Sequence, residues 1–322
     1  MIKISNYING QLENNSSNFI DVFNPSIGKV YAKCQDSSKK DLKKAIKSSE
    51  NSFLEWSNKK QQDRSDFLFL IADLIEDRLD EFAEAESIDN GKPYTLSKSL
   101  DIPRSIKNLR FFAKIALEIE DPIYHQKDII SHILREPIGI VGTISPWNLP
   151  LYLFTWKIAP ALVSGNCVIA KPSEITPYSA YLFSKVCMEA QLPPGVLNIL
   201  HGRGELIGSE IVKHKKIKAI SFTGGTKTGK KIAKETSKKM KKISLEMGGK
   251  NPVIIFDDCD YNKMINSILK SSFLNQGQIC LAGSRIYIQD TIYEKFKKDF
   301  LIRIKKMKIG DPFKKNIDQG AI

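Results

Sequence analysis

The sequence predicts an α/β protein built around a mostly parallel sheet. Strand-like runs at 138–144, 167–170, 196–200, 219–222, 242–245 and 253–256 alternate with helical stretches near 151–163, 177–190, 205–213, 226–238 and 261–275. Such alternation builds βαβ units whose sheet is covered on both faces. In addition, turns rich in glycine, proline and polar side chains follow the strands. Ligands of parallel sheets bind outside the carboxyl ends of their strands, so these turns mark a candidate site.

Length and composition narrow the class. A chain of 322 residues with 42% hydrophobic and 26% charged content has room for about two domains and a sizeable core. The longest apolar stretch, Leu151 to Val163, contains Lys157 and is too short to span a bilayer. The N-terminus lacks a signal-peptide core. Five cysteines, at 34, 167, 187, 259 and 280, show neither metal-ligand spacing nor an even count, which points to a reducing cytoplasm and to no metal. The net charge of +13 raises nucleic-acid binding as an option. However, the lysine clusters at 213–218 and 227–242 lack interleaved aromatics and any recognition signature, so a general lysine bias explains them better.

The N-terminal part reads as turns (Asn9-Gly10, Asn24 to Gly28) between short strands such as 19–23. A helix capped at Ser38 runs to Trp56, a second spans about 61–86 and a third about 95–117. Residues 118–136 alternate apolar and polar in two runs, as a hairpin or arm does. Gly202, Gly204 and Gly208 imitate a dinucleotide fingerprint with one residue too many, and no acidic residue follows at the required distance. They read as a tight turn.

Four motifs carry chemistry. In Pro146-Trp-Asn-Leu-Pro150, an asparagine in a stiff turn can aim its amide into the strand-end crevice and stabilise an oxyanion; alone, it is more simply an Asx-turn residue. In Lys171-Pro-Ser-Glu174, a lysine and a carboxylate at a strand end suit a ribose diol. Glu174 would repel a 2′-phosphate and so favours NAD over NADP. Phe222 to Gly229 runs from strand to helix with Gly224 and Gly225, which let backbone approach a pyrophosphate. In Leu245-Glu-Met-Gly-Gly-Lys-Asn-Pro252, Glu246 ends a strand and can act as a general base. Further on, Gly-Gln-Ile-Cys280 places a thiol in a turn; a lone cysteine there is more often buried and inert.

Taken together and in this order, the motifs closely resemble the NAD(P)-dependent aldehyde dehydrogenase superfamily over essentially the whole chain. The segments 101–112 and 144–160 are most similar to its 2-aminomuconic and 2-hydroxymuconic semialdehyde branch. The resemblance implies a Rossmann-like NAD-binding domain (1–117 and 137–246), an oligomerisation arm (118–136) and an incomplete catalytic domain (247–322). It implies Cys280 as nucleophile, Asn148 in the oxyanion hole and Glu246 as base for the hydrolytic water. NAD would lie on Ser145, Trp147, Lys171, Ser173, Glu174, Gly224 and Gly225, the last standing where many relatives carry serine. A small carboxylated aldehyde is the implied substrate, with Arg104 as candidate partner for its carboxylate. The implied full-length form is a homodimer or homotetramer. Relatives also continue well beyond Ile322, 42 residues past Cys280. The alternative expectation is therefore a truncated chain of poor stability that at most binds NAD.

Overall fold

In the computed structural model, residues 1–13 and 18–321 are described; Ile322, the end of the expected catalytic domain, lies outside them. The elements run β1 (Ile2–Ile4), β2 (Tyr7–Ile8), β3 (Gln11–Leu12), β4 (Phe19–Asn24), β5 (Lys29–Gln35), α1 (Lys39–Asn58), α2 (Gln61–Asp77) and α3 (Leu79–Asn90). There follow α4 (Tyr94–Leu96), a π-helical turn Ser97–Asp101, α5 (Ile102–Glu118), β6 (Ile123–Gln126), β7 (Ile129–His132) and β8 (Ile140–Ile144). Next come α6 (Pro150–Val163), β9 (Cys167–Lys171), α7 (Tyr178–Glu189), β10 (Leu197–Ile199), a π-helical turn Gly204–Gly208 and α8 (Ser209–Lys213). The chain closes with β11 (Ile217–Gly224), α9 (Thr226–Ser237), β12 (Lys242–Met247), β13 (Asn251–Ile255), α10 (Tyr261–Phe273), β14 (Gly283–Ile288) and α11 (Asp290–Lys305).

The main sheet has seven strands in the order β12-β11-β8-β9-β10-β2-β3. Its first five strands are parallel, and β2 joins β10 antiparallel. Strands β8 and β9 are buried along their whole length, as strands covered on both faces must be. On one face Trp56, Leu68, Ile71, Phe82, Leu109, Phe154 and Phe183 pack with α6 and α7. On the other, Ile46, Ile211, Ile220 and Ile232 pack under α1, α8 and α9. Strands β1, β5 and β4 form a separate three-stranded sheet, and β6 and β7 pair as a hairpin with every residue exposed. Strands β13 and β14 pair in parallel and share their own apolar cluster with α10 and α11.

Ser38 closes a capping box: its hydroxyl accepts from the Asp41 N–H while Asp41 accepts from the Ser38 N–H. Three expected helices differ in form. The single helix at 61–86 is broken at Arg78 into α2 and α3, because Arg78 leaves helical geometry (φ −108°, ψ 25°). The helices expected at 95–117 and 205–213 each contain a π-helical turn, after α4 in the first and at the start of the second, a feature that hydrophobic spacing does not reveal.

Candidate active site

A cavity of about 770 Å³ opens at the carboxyl end of the parallel sheet. It is lined by residues from successive strand ends: Ser145 and Trp147 after β8, Lys171, Ser173 and Glu174 from the end of β9, and Gly224 and Gly225 where β11 passes into α9. Those seven residues, separated by up to 80 positions in sequence, share one wall. Gly204 and Gly208 line it too, a placement beyond the plain turn expected of them. Gly202 does make the sharp turn, with φ +125° and the Asp36–Ser37 backbone where a side chain would stand.

The polar groups at the β9 end are fixed in place. Lys171 Nζ lies 2.7 Å from Glu174 Oε2 and donates to the Pro172 carbonyl at 2.8 Å. Glu174 Oε1 accepts from the Gly204 N–H at 2.9 Å. Burial pushes the Glu174 carboxyl up, yet the adjacent Lys171 ammonium and these hydrogen bonds outweigh it and hold the group below its ordinary range. It is therefore an ionised acceptor at neutral pH. Gly225 is the N-cap of α9 and supplies no side-chain cap, so the first N–H groups of this helix are left for a ligand. A Cβ built on Gly225 would meet open space. A carboxylate for a ribose diol and a bare helix N-terminus for a pyrophosphate together fit a dinucleotide.

The thiol lies in the loop after α10. Asn275 and Gln276 carry left-handed φ values of 53° and 56°, followed by Gly277 at 72°. Three such residues in succession bend the chain sharply out of α10 and leave Cys280 exposed in a loop before β14. The loop is tied to the 146–150 turn. Asn148 Nδ2 donates to the Gln278 carbonyl at 2.7 Å, and Asn275 Nδ2 donates back to the Asn148 carbonyl at 3.0 Å. On the far side, Asn251 Nδ2 donates to the Cys280 carbonyl at 2.6 Å. The structure thus brings Asn148 to the cysteine loop from 130 residues away.

Glu246 is exposed near the end of edge strand β12, paired across to Thr223 of β11. Its charge acts on a residue that sequence reading passed over. Lys157 projects from α6, is 4% exposed, and has Nζ 3.4 Å from the Ser221 hydroxyl. Burial drives its ammonium down to about 8, with Glu246 opposing the shift. A lysine interrupting the apolar run 151–163 is the one local sign that could have flagged it. Arg104, on the first turn of α5, lays its guanidinium over the Tyr152 ring at 4.9 Å from the centroid. Trp156 stands next to Tyr152 and is packed edge-on by Phe112.

Known proteins resemble this chain along nearly its whole length. The profile of the aldehyde dehydrogenase family matches residues 12–322. The chain belongs to the aldehyde dehydrogenase family. It is 43% identical to the human 2-aminomuconic semialdehyde dehydrogenase, aligning over 100% of this chain and 66% of that protein. It is 38% identical to a Pseudomonas 2-aminomuconic 6-semialdehyde dehydrogenase, over 100% of this chain and 67% of the relative. An NAD⁺ complex of a Bacillus cereus aldehyde dehydrogenase superposes with a TM-score of 0.96 at 33% identity, covering 99% of this chain and 66% of that one. The chain thus spans about two thirds of the length of these family members. Among the described residues, no cluster of His, Cys, Asp or Glu could hold a metal ion, and no helix is long and apolar enough to cross a membrane.

Proposed function

We propose that this aldehyde dehydrogenase family chain carries the site of a cysteine-dependent, NAD-linked oxidation of a small carboxylated aldehyde to its acid. The hydrogen bond from Asn148 to the carbonyl two residues before Cys280 carries the reading, because it ties an amide donor to the loop that bears an exposed thiol.

The Cys280 thiolate adds to the carbonyl carbon, forming a C–S bond as the carbonyl electron pair moves onto oxygen. One amide hydrogen of Asn148 is held by Gln278, and the other is free to meet that oxygen. NAD would supply a hydride acceptor there; as the adduct carbon gives up its hydride, the oxyanion pair re-forms the carbonyl and a thioester is left on Cys280. Glu246 takes a proton from the water that attacks this thioester, and the thiolate leaves with the acid released. Lys171, Glu174, Gly224 and Gly225 would hold the dinucleotide, with Glu174 disfavouring a 2′-phosphate. Residues 1–117 and 137–246 would form the cofactor domain, 118–136 an assembly arm of a homodimer or homotetramer, and residues from 247 onward the catalytic domain.

Arg104 would bind the substrate carboxylate, its guanidinium plane supported by Tyr152. The semialdehyde relatives point to the same substrate class. The test measures reduced nicotinamide formation with carboxylated and uncharged aldehydes, on the parent protein and on Arg104→Ala. A rise in KM confined to the carboxylated substrates is expected. Equal effects on both would remove Arg104 from the substrate site. Dinucleotide binding with no turnover of any aldehyde would reduce the chain to a cofactor-binding protein.

A further inference from the structure

The turn that bears Asn148 rests on a buried ionic cluster that the mechanism above does not use. Lys92, at the turn after α3, is 0% exposed, as is Glu86, and Asp101 is 1% exposed. Lys92 Nζ lies 2.6 Å from Asp101 Oδ2, 3.5 Å from Glu86 Oε1 and 3.1 Å from the Asn148 carbonyl. An ammonium has three N–H donors, and these three acceptors use all of them. Glu86 Oε2 in turn accepts from the Leu151 N–H at 3.3 Å, in the first turn of α6. The cluster therefore grips the 148–151 turn at two backbone atoms.

Burying two carboxylates and an ammonium is a poor way to stabilise a fold, because desolvation offsets most of the Coulombic gain. What such a cluster does supply is direction. A carbonyl that accepts from Lys92, from Asn275 and, at 3.5 Å, from Asn90 Nδ2 fixes the peptide plane after Asn148, and with it the direction of the Asn148 side chain.

We propose that Lys92 is a positioning residue for Asn148: it holds the Asn148 carbonyl so that the Asn148 amide meets the oxygen of an aldehyde added to Cys280. The proposal rests on the reading of Asn148 and Cys280 given above. Lys92 touches no reacting atom; it acts through Asn148 alone.

The test is a double-mutant cycle between Lys92→Met and Asn148→Ala. Two reactions of Cys280 are compared: reversible hemithioacetal formation with an aldehyde, which needs an oxyanion donor, and alkylation by iodoacetamide, which does not. Lys92→Met is expected to weaken hemithioacetal formation at least ten-fold and leave alkylation unchanged. The double variant should be no worse than Asn148→Ala alone. Multiplicative losses, or an equal loss of alkylation, would overturn the proposal. Should Lys92→Met fail to fold, Lys92→Met with Asp101→Asn removes one of the stranded carboxylates and takes its place in the cycle. A crystal structure of the folded variant gives a readout independent of chemistry. The Asn148 amide should have left the Gln278 carbonyl, and an unmoved amide refutes the role. A parent protein that forms no hemithioacetal would sink the aldehyde reading, while the structure of the variant still decides on Lys92.

Discussion

Asn148 and Gln278, 130 positions apart, are joined by a 2.7 Å hydrogen bond from the side-chain amide of one to the carbonyl of the other. That single bond couples the turn after the central strand β8 to the loop of the thiol. An oxyanion donor is useful only if it is aimed before charge develops, since reorienting it during the reaction costs what it would otherwise contribute.

Asn148→Ala is therefore expected to lower kcat by about 10²–10³, roughly 3–4 kcal/mol, with little change in KM for the aldehyde. Steady-state kinetics checks this. A pure KM effect would mean that Asn148 contacts substrate in its ground state only.

Glu246→Gln should separate the two halves of the reaction. In the proposed mechanism hydride transfer precedes the step that needs a base, so the variant should release about one equivalent of reduced nicotinamide per chain in a burst. The following steady state should be slower by about 10²-fold or more. Rapid mixing reads both phases, and loss of the burst itself would place Glu246 in the first step.

Lys157 makes a prediction about stability and pH. Burial lowers its ammonium from an ordinary 10.5 to about 8 in the folded protein. Below about 8 both folded and unfolded chains carry the proton, so the folded state bears the full cost of a buried charge. Between about 8 and 10.5 the unfolded chain binds the extra proton, and stability therefore rises with pH. Lys157→Met should be more stable than the parent at neutral pH by about 1–3 kcal/mol, with the advantage shrinking across that window. Urea unfolding of both proteins on either side of the window checks the sign.

Glu174 sets the dinucleotide preference in this reading. Both of its oxygens are already held, by Lys171 and by the Gly204 N–H, so its charge cannot swing away from a 2′-phosphate. Glu174→Gln should improve NADP⁺ binding by roughly ten-fold, about 1.4 kcal/mol, while NAD⁺ binding weakens modestly. Titration of both dinucleotides measures it, and an unchanged ratio would move the discrimination elsewhere.

Much of this protein is legible locally. The parallel sheet follows from strand-like runs alternating with helices, because a strand buried on both faces is largely apolar, as β8 and β9 are apart from Thr143 and Lys171. The cavity at the sheet edge follows from turn residues at strand ends, because parallel strands deliver all their carboxyl ends to one edge of the sheet. Ser38 announces its capping box within four residues, since the bonds it makes span no more than that. The break at Arg78, by contrast, separates two helices that both keep helical spacing. Only the backbone geometry at Arg78 reveals it.

The sequence by itself determined which residue types stand at each strand end, and so the fold, the thiol and the acidic and amide groups offered to it. Tertiary structure alone decided which of them act together. Lys92 and Asn275 reach the Asn148 carbonyl from 56 and 127 residues away, and Lys157 lies under the charge of Glu246 on another element. No periodicity or motif encodes such contacts. A hydrogen bond or a Coulombic interaction depends on separation in space, and only the packing of α3, α5 and α6 on the sheet brings these groups within reach.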